Sequence, residues 1–218
     1  MLFQDRKEAG QILARTLAKL QDLKDAIVLG LPRGGVPVAY EVALELNLPL
    51  DIFVVRKLGV PWQPELAMGA IASGGTVVLN SFVVHELGIS AEVIESAAQR
   101  EGLEIERRER AYREGRPPMR VEEHTAVLID DGLATGASML AAARALRQRA
   151  KQVVVAVPVA AESTCNSLRS EVDQVICAAT PEPFFAVGMF YRDFTQTTDD
   201  EVRSLLSQAR ARQGLRAA

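Results

Sequence analysis

Val127-Leu128-Ile129-Asp130-Asp131-Gly132-Leu133-Ala134-Thr135-Gly136-Ala137-Ser138 is the stretch that decides how this chain is read. The apolar run from Ala126 to Ile129 suits a strand buried on both faces of a parallel sheet. It ends in two adjacent carboxylates, and charge at the end of a buried strand is costly unless it is paired, coordinated or set at a solvent opening. The residues that follow are small or hydroxylated, so a ligand can approach the backbone. They open an Ala-rich helix whose first amides point outward, and Thr135 and Ser138 add hydroxyls. Free N–H groups at the positive end of a helix dipole make an anion site. Carboxylates would repel a bare phosphate, but they suit a phosphosugar whose hydroxyls donate hydrogen bonds. No Gly-Lys-Ser/Thr follows and there is no GxGxxG, so neither a Walker loop nor a dinucleotide fingerprint is present.

Around this stretch, strands and helices alternate. Ala9, Ile12, Leu13, Leu17 and Leu20 fall at helical spacing between about Asp5 and Leu23,. Ala26 to Gly30 reads as a buried strand ended by the turn Leu31-Pro32-Arg33-Gly34-Gly35, Val38 to Leu46 as a helix and Leu50 to Val55 as the next strand. Leu58 to Glu65, with Gly59, Pro61 and Pro64, is expected to lack regular structure. Ala67 to Ala72 and Thr76 to Asn80 flank Ser73-Gly74-Gly75 like a hairpin. Ser90 is the expected N-cap of a charge-rich helix from Ala91 to Tyr112, which Gly115 and Pro117-Pro118 end. Beyond Ser138 the pattern gives a helix over Ala137 to Arg149, strands over Val153 to Val159 and Val172 to Cys177, an irregular aromatic segment over Pro181 to Thr198, and a helix from about Asp199 to Arg212. The expected architecture is an α/β, doubly wound, mostly parallel sheet with a small hood and a flexible loop and hairpin. Such sheets bind ligands at the carboxyl ends of their strands, where the three unusual loops fall.

Composition narrows the classes. The 218 residues suit one α/β domain spanning 1–218, with a core over about 24–180 and a hood over about 181–198 plus the terminal helix,. A net charge of −3 with interspersed signs offers no basic field for polymeric nucleic acid,. Cys165 and Cys177 lack CxxC spacing and only two histidines accompany them, so they read as reduced cytosolic thiols rather than a disulfide or zinc site,. No apolar run approaches the roughly 20 residues of a membrane span, and the expected location is the cytoplasm.

An apolar strand, two acids, Gly, a variable pair, Thr-Gly and Thr or Ser is the signature that type I phosphoribosyltransferases carry, and Val127 to Ser138 resembles it. The resemblance implies that Asp130 and Asp131 hold the ribose hydroxyls of phosphoribosyl pyrophosphate (PRPP). It implies that Gly132 and the run Ala134, Thr135, Gly136, Ala137 and Ser138 hold the sugar and its 5′-phosphate, and that Mg²⁺ is the cofactor, reached by the two acids through ribose or water. The turn at Arg33, Gly34 and Gly35 matches the family's pyrophosphate loop, which often carries unusual peptide geometry. By itself such a turn is explained as well by its glycines as by an anion. Arg56 and Lys57 stand where the family has basic residues at the root of a closing loop, here Leu58 to Gly75, with Trp62 and Gln63 at its tip or Trp62 merely packed, and Glu65 unassigned.

Phe185-Ala186-Val187-Gly188 is similar to the base-stacking hood segment of purine-type members. This makes Phe184 or Phe185 the stacking candidate and favours a purine-like base over a pyrimidine. The spacing from Gly188 to Asp193 departs from that pattern, which leaves the base open. The expected reaction transfers ribose 5-phosphate from PRPP to a nitrogenous base with release of pyrophosphate. The rival is a PRPP- or nucleotide-binding regulator on the same fold, and a synthetase-like enzyme lacks a visible ATP site. His85 and His124 have no partner cluster. Glu104, Arg107, Arg108, Glu109 and Arg113 read as a solvated helix face or, alternatively, a homodimer contact. Ser138 and Ser163 sit in no nucleophile elbow.

Overall fold

The computed structural model describes residues 3–20 and 23–217. Five parallel strands form the central sheet: β1 (Ala26–Gly30), β2 (Leu50–Ile52), β6 (Thr125–Ile129), β7 (Gln152–Val159) and β8 (Gln174–Ala179), in the order β2-β1-β6-β7-β8. The chain leaves β1 to one side for β2 and returns to the other side at β6, so the strand order reverses between β1 and β6. That reversal opens a crevice at the carboxyl ends of these two strands.

Alternate residues of the strands feed two cores. Val28, Val127, Ile129, Val154 and Ala156 pack with α1 (Arg6–Leu17), α2 (Gly35–Leu46) and α7 (Asp199–Ala217). Ile27, Leu29, Ala126, Leu128, Val153 and Val155 pack on the other face with α5 (Ala137–Leu146) and α6 (Glu162–Leu168). Burial on both faces is why these strands read as continuous apolar runs. The sheet is therefore doubly wound, as the sequence predicts. Helix α1 ends at Leu17, before the Leu23 expected, and the predicted helical residues 21 and 22 lie outside the described residues.

A second sheet, β3-β4-β5, corrects the expectation of an irregular loop. β3 (Val55–Val60) and β4 (Gln63–Ala72) form an antiparallel hairpin, and β5 (Val77–Leu79) pairs with β4 beyond the Ser73-Gly74-Gly75 turn. Pro61 lies in the hairpin turn and Pro64 in the stretch left unpaired where the register shifts around Gly59, places where a missing N–H costs no ladder bond,. Buried Leu58, Val60 and Met68 anchor the hairpin in the main core. At the root, Val54 N donates to Ser73 Oγ (2.8 Å) and Ser73 N to Val54 O (2.8 Å). Two short helices escape the sequence reading, α3 (Ser81–Glu86) and α6. The long α4 (Ala91–Arg113) follows Ser90, whose side chain makes no capping bond.

Two further expectations are overturned. Cys165 on α6 and Cys177 on β8 form a disulfide. The crossover from β7 through α6 folds back over β8, and this brings together cysteines whose spacing suggests no site. Arg113 does not belong to a solvated face. It is buried, its Nε 2.8 Å from Asp51 Oδ1 and its NH2 donating to Ile52 O, with Glu109 also paired to it. Glu104, by contrast, pairs with Arg107 and Arg108 on the surface, which holds its carboxyl down to about 2.

Candidate functional site

The crevice between β1 and β6 is built from two loops in contact. Leu31 N donates to Ile129 O across it (2.9 Å). A Cβ placed on Gly35 would lie 2.6 Å from Ile129 O and 2.9 Å from the Asp130 Cα. A Cβ on Gly34 would overlap Oδ2 of Asp131. These glycines are needed for close approach of the loops, since both have ordinary negative φ. The peptide between Pro32 and Arg33 is cis. The turn residues Arg33, Gly34 and Gly35 thus stand directly beside Asp130 and Asp131.

The two acids differ in their surroundings. Asp131 N donates to Asp130 Oδ1 (2.9 Å), and among the described residues Asp130 Oδ2 has no partner. Burial and, second, the neighbouring Asp131 carboxylate push Asp130 well above the usual carboxylate range,. Asp131 is also raised by burial, with Arg6 opposing the shift. Arg6, in the first turn of α1, places Nε 2.9 Å from Asp131 Oδ2, and Tyr191 Oη donates to Asp131 O (2.6 Å). Burial, with the Asp131 charge second, shifts the Tyr191 phenol upward. Neither Arg6 nor Tyr191 is a predicted site residue. The aromatic segment and an N-terminal helix are visible in the sequence, but nothing local signals that they converge on Asp131.

Downstream, Gly132 is buried because Val187 and Val159 O leave no room for a side chain. Leu133 N bonds to Val159 O (2.9 Å), and Thr164 Oγ1 donates to Ala134 O (2.6 Å). Gly136, at φ +69°, occupies the N-cap of α5 without a side-chain cap, and a Cβ there would meet the Thr164 methyl at 2.6 Å. Ala134, Thr135, Ala137 and Ser138 are exposed. The first-turn amides of α5 therefore face the crevice mouth with no side chain of the cap to satisfy them. Thr164 on α6 is a supporting residue that sequence reasoning misses, because α6 itself is missed.

The three predicted cations are separated. Arg33 NH1 is 3.8 Å from Asp199 Oδ1, which also accepts from Tyr112 Oη (2.7 Å). Arg56 Nε is 2.9 Å from Glu101 Oε2, on α4. Tyr112 and Glu101 are eleven residues apart on α4, about 16 Å along its axis,. Lys57 is exposed on the opposite face of β3 and lines a cleft with Ala137, Leu140 and Arg144 of α5,. Of the aromatics, Phe184 is stacked on Phe190 (5.1 Å between centroids), whereas Phe185 is 73% exposed. Trp62 is exposed at the tip of the β3-β4 hairpin, as is Glu65. His85 lies beside Glu86 on the surface, and His124, whose Nδ1 is 3.0 Å from Asp25 O, precedes the amino end of β6, the end away from the crevice. No described helix is long and apolar enough to cross a membrane.

A family model described as a phosphoribosyl transferase domain matches residues 3–189. The chain belongs to that family. Its central sheet and flanking helices have the type I phosphoribosyltransferase fold. It is 48% identical over 209 residues to a Mycobacterium tuberculosis protein provisionally named a phosphoribosyl transferase, an alignment covering 95% of this chain and 47% of that one. The chain thus spans about half the length of the curated relatives it matches. A crystal structure from Thermus thermophilus superposes with a TM-score of 0.84 at 41% identity, over 95% of this chain and 99% of that one. A Neisseria gonorrhoeae protein solved with ppGpp bound has a TM-score of 0.50 at 12% identity, covering 95% of this phosphoribosyl transferase domain and 94% of its own chain. That likeness is one of fold alone.

Proposed function

We propose that the protein transfers ribose 5-phosphate from PRPP to a nitrogenous base, with Mg²⁺, releasing pyrophosphate. One observation carries this reading: paired carboxylates, an uncapped helix N-terminus and the Arg33-Gly34-Gly35 turn meet at the point where the strand order reverses. The 5′-phosphate takes the α5 amides with Thr135 and Ser138, the ribose hydroxyls donate to Asp130 and Asp131, and Arg33 with the turn amides takes the pyrophosphate. A base nitrogen then attacks C1′ as the C1′–O bond to pyrophosphate breaks. The electron pair leaves on pyrophosphate and the nitrogen's proton passes to solvent or the leaving group. The residues contribute position and charge to an oxocarbenium-like state.

Mg²⁺ fits this donor set. Asp130 Oδ2 and Asp131 Oδ1 are without described partners, and no cluster of three or more metal-binding side chains occurs among the described residues. Two carboxylate oxygens do not make a protein cage, but they suit an ion that keeps waters and shares substrate oxygens. When bound, the ion offsets charge on the departing pyrophosphate. Asp130 and Asp131 would hold it through ribose or water. For the base, Phe185 offers an unoccupied ring face while Phe184 is committed to Phe190, and a purine-like base makes fuller use of that face,.

A PRPP- or nucleotide-binding regulator is the second reading. It is favoured by the pairing of Arg56 with Glu101 and of Arg33 with Asp199, which leaves Arg6 as the cation bonded to the acids. Incubating the protein with PRPP, Mg²⁺ and a panel of bases, while following pyrophosphate and nucleotide, separates the two. Turnover with any base supports the transferase. Micromolar PRPP binding without turnover supports the regulator, and no PRPP binding sinks both.

A further inference from the structure

The contact between Arg6 and Asp131 is left without a role by the chemistry above. Its geometry is specific. Arg6 Nε and NH2 each lie 2.9 Å from Asp131 Oδ2, NH1 donates to Thr195 O (2.8 Å), and the guanidinium sits 4.0 Å from the centre of the Phe194 ring. The two side chains are only 12% and 14% exposed. With Oδ2 engaged, Asp131 Oδ1 accepts no hydrogen bond among the described residues.

Arg6 is not a swinging arm. Phe3 N donates to Phe190 O (2.7 Å), Arg192 N to Phe3 O (2.9 Å) and Asp193 N to Gln4 O (2.9 Å), so the segment leading to it is laced to the hood by a parallel bridge between Phe3 and Tyr191. Asp5 then caps α1 by accepting from Glu8 N (2.8 Å). Gly34, bare of a side chain, leaves the room that the ion pair occupies. A guanidinium fixed by a carbonyl, a ring and a helix cap is suited to aim the group it touches, since little rotamer freedom remains to be lost.

Charge points the same way. Two adjacent carboxylates in a crevice repel each other, and one fixed cation cancels one of the two charges. The groups around Asp131 are Asp130 beside it, Arg6 from α1, and the Tyr191 hydroxyl on its carbonyl; exposed Asp193 lies near Arg6 and is bonded to Thr195. Arg6 is thus the cation that compensates the pair.

We propose that Arg6 is a positioning residue for the phosphoribosyl donor: it clamps one oxygen of Asp131 so that the other is presented to the ribose, making the N-terminal segment a component of the site. The inference rests on the PRPP-binding reading above. It concerns a residue that no pattern in the sequence marks.

The test is calorimetric titration of the full chain with PRPP and Mg²⁺, using wild type, Arg6→Gln, Arg6→Lys, Asp131→Asn and the double variant Arg6→Gln/Asp131→Asn, each checked by thermal melting. Arg6→Gln is expected to weaken PRPP binding about ten- to hundredfold, the scale of a lost charge-assisted bond. Arg6→Lys should recover part of the loss, because it returns the charge without the fork. The double variant should bind no more weakly than Asp131→Asn alone, because Arg6 acts through that carboxylate. Unchanged affinity in Arg6→Gln overturns the proposal, and so does an additive loss in the double variant. Should Arg6→Gln fail to fold, Arg6→Lys decides: a several-fold weakening supports the proposal and wild-type affinity overturns it. Absence of PRPP binding by the wild type removes the functional reading itself, a result distinguishable from both.

Discussion

A side chain at position 34 and the carboxylate of Asp131 cannot coexist: a Cβ on Gly34 would overlap Oδ2 of Asp131 and come within 2.8 Å of its Cγ. The first loop of the crevice is therefore shaped around the second. Gly34→Ala should displace Asp131 or the turn and reduce PRPP affinity at least tenfold, while the far side of the sheet keeps its packing. Calorimetry alongside a melting curve checks this, and wild-type affinity in Gly34→Ala would mean that the two loops are not in register for a common ligand.

Thr164 supports the proposed phosphate loop from behind by donating to Ala134 O (2.6 Å). Thr164→Val keeps the shape but removes the donor, at a cost of about 0.5–1.5 kcal/mol, since water can reach the exposed Ala134,. Binding of ribose 5-phosphate should weaken in this variant. An unaltered affinity would show that α6 has no hold on the loop.

Tyr112 and Tyr191 are shielded phenols. Burial, and then the bond to Asp199, push Tyr112 up to about 12, and burial with the Asp131 charge raises Tyr191 further. A phenol whose folded pKa lies above its unfolded value near 10 binds more protons in the folded state between the two values, so stability falls as pH rises from about 10 through 12. Following phenolate absorbance against pH should show both tyrosines ionising late and Tyr191 after Tyr112. Ionisation of Tyr112 and Tyr191 near pH 10 in the folded protein would contradict this.

Asp51 and Arg113 are both nearly inaccessible, and Asp51 also receives Met119 N (2.9 Å). Asp51→Ala leaves the buried guanidinium to Glu109 and Ile52 O and deprives Met119 N of its acceptor, at an expected cost of about 1–3 kcal/mol,. Urea unfolding measures this directly, and a loss under 1 kcal/mol would mean that water reaches the pair.

The Cys165–Cys177 bridge closes a loop of sequence separation 12. Constraint of so short a loop contributes about 3 kcal/mol in the chain-entropy view. A dithiol reductant should lower the melting temperature by several degrees. Thiol counting in denatured, unreduced protein should find none, and two free thiols would exclude the bridge.

Legibility in the sequence followed how local the physics was. Asp130 to Ser138 could be read because charge at the end of an apolar strand is anomalous within a dozen residues. The parallel sheet could be read because burial on both faces leaves unbroken apolar runs such as Ala26 to Gly30. The β3-β4 hairpin could not, since Gly59, Pro61 and Pro64 are breakers unless a bulge and a turn accommodate them, and only the register shows that they do. Arg113 looked like one more member of a charged helix face until Asp51, 62 residues away, turned it inward. Arg6 and Asp131 lie 125 residues apart, and no window along the chain contains both.

The small sheet carries a thermodynamic implication. Its strands are hydrogen-bonded, rooted by Ser73 on Val54 and anchored by Leu58, Val60 and Met68 before any ligand arrives. Its backbone has already lost the conformational entropy, about 1–2 kcal/mol per residue, that a disordered cover would lose on closing. A ligand that met this surface would find it already formed, with Trp62 exposed at its tip. Association would then not be opposed by the folding of a loop.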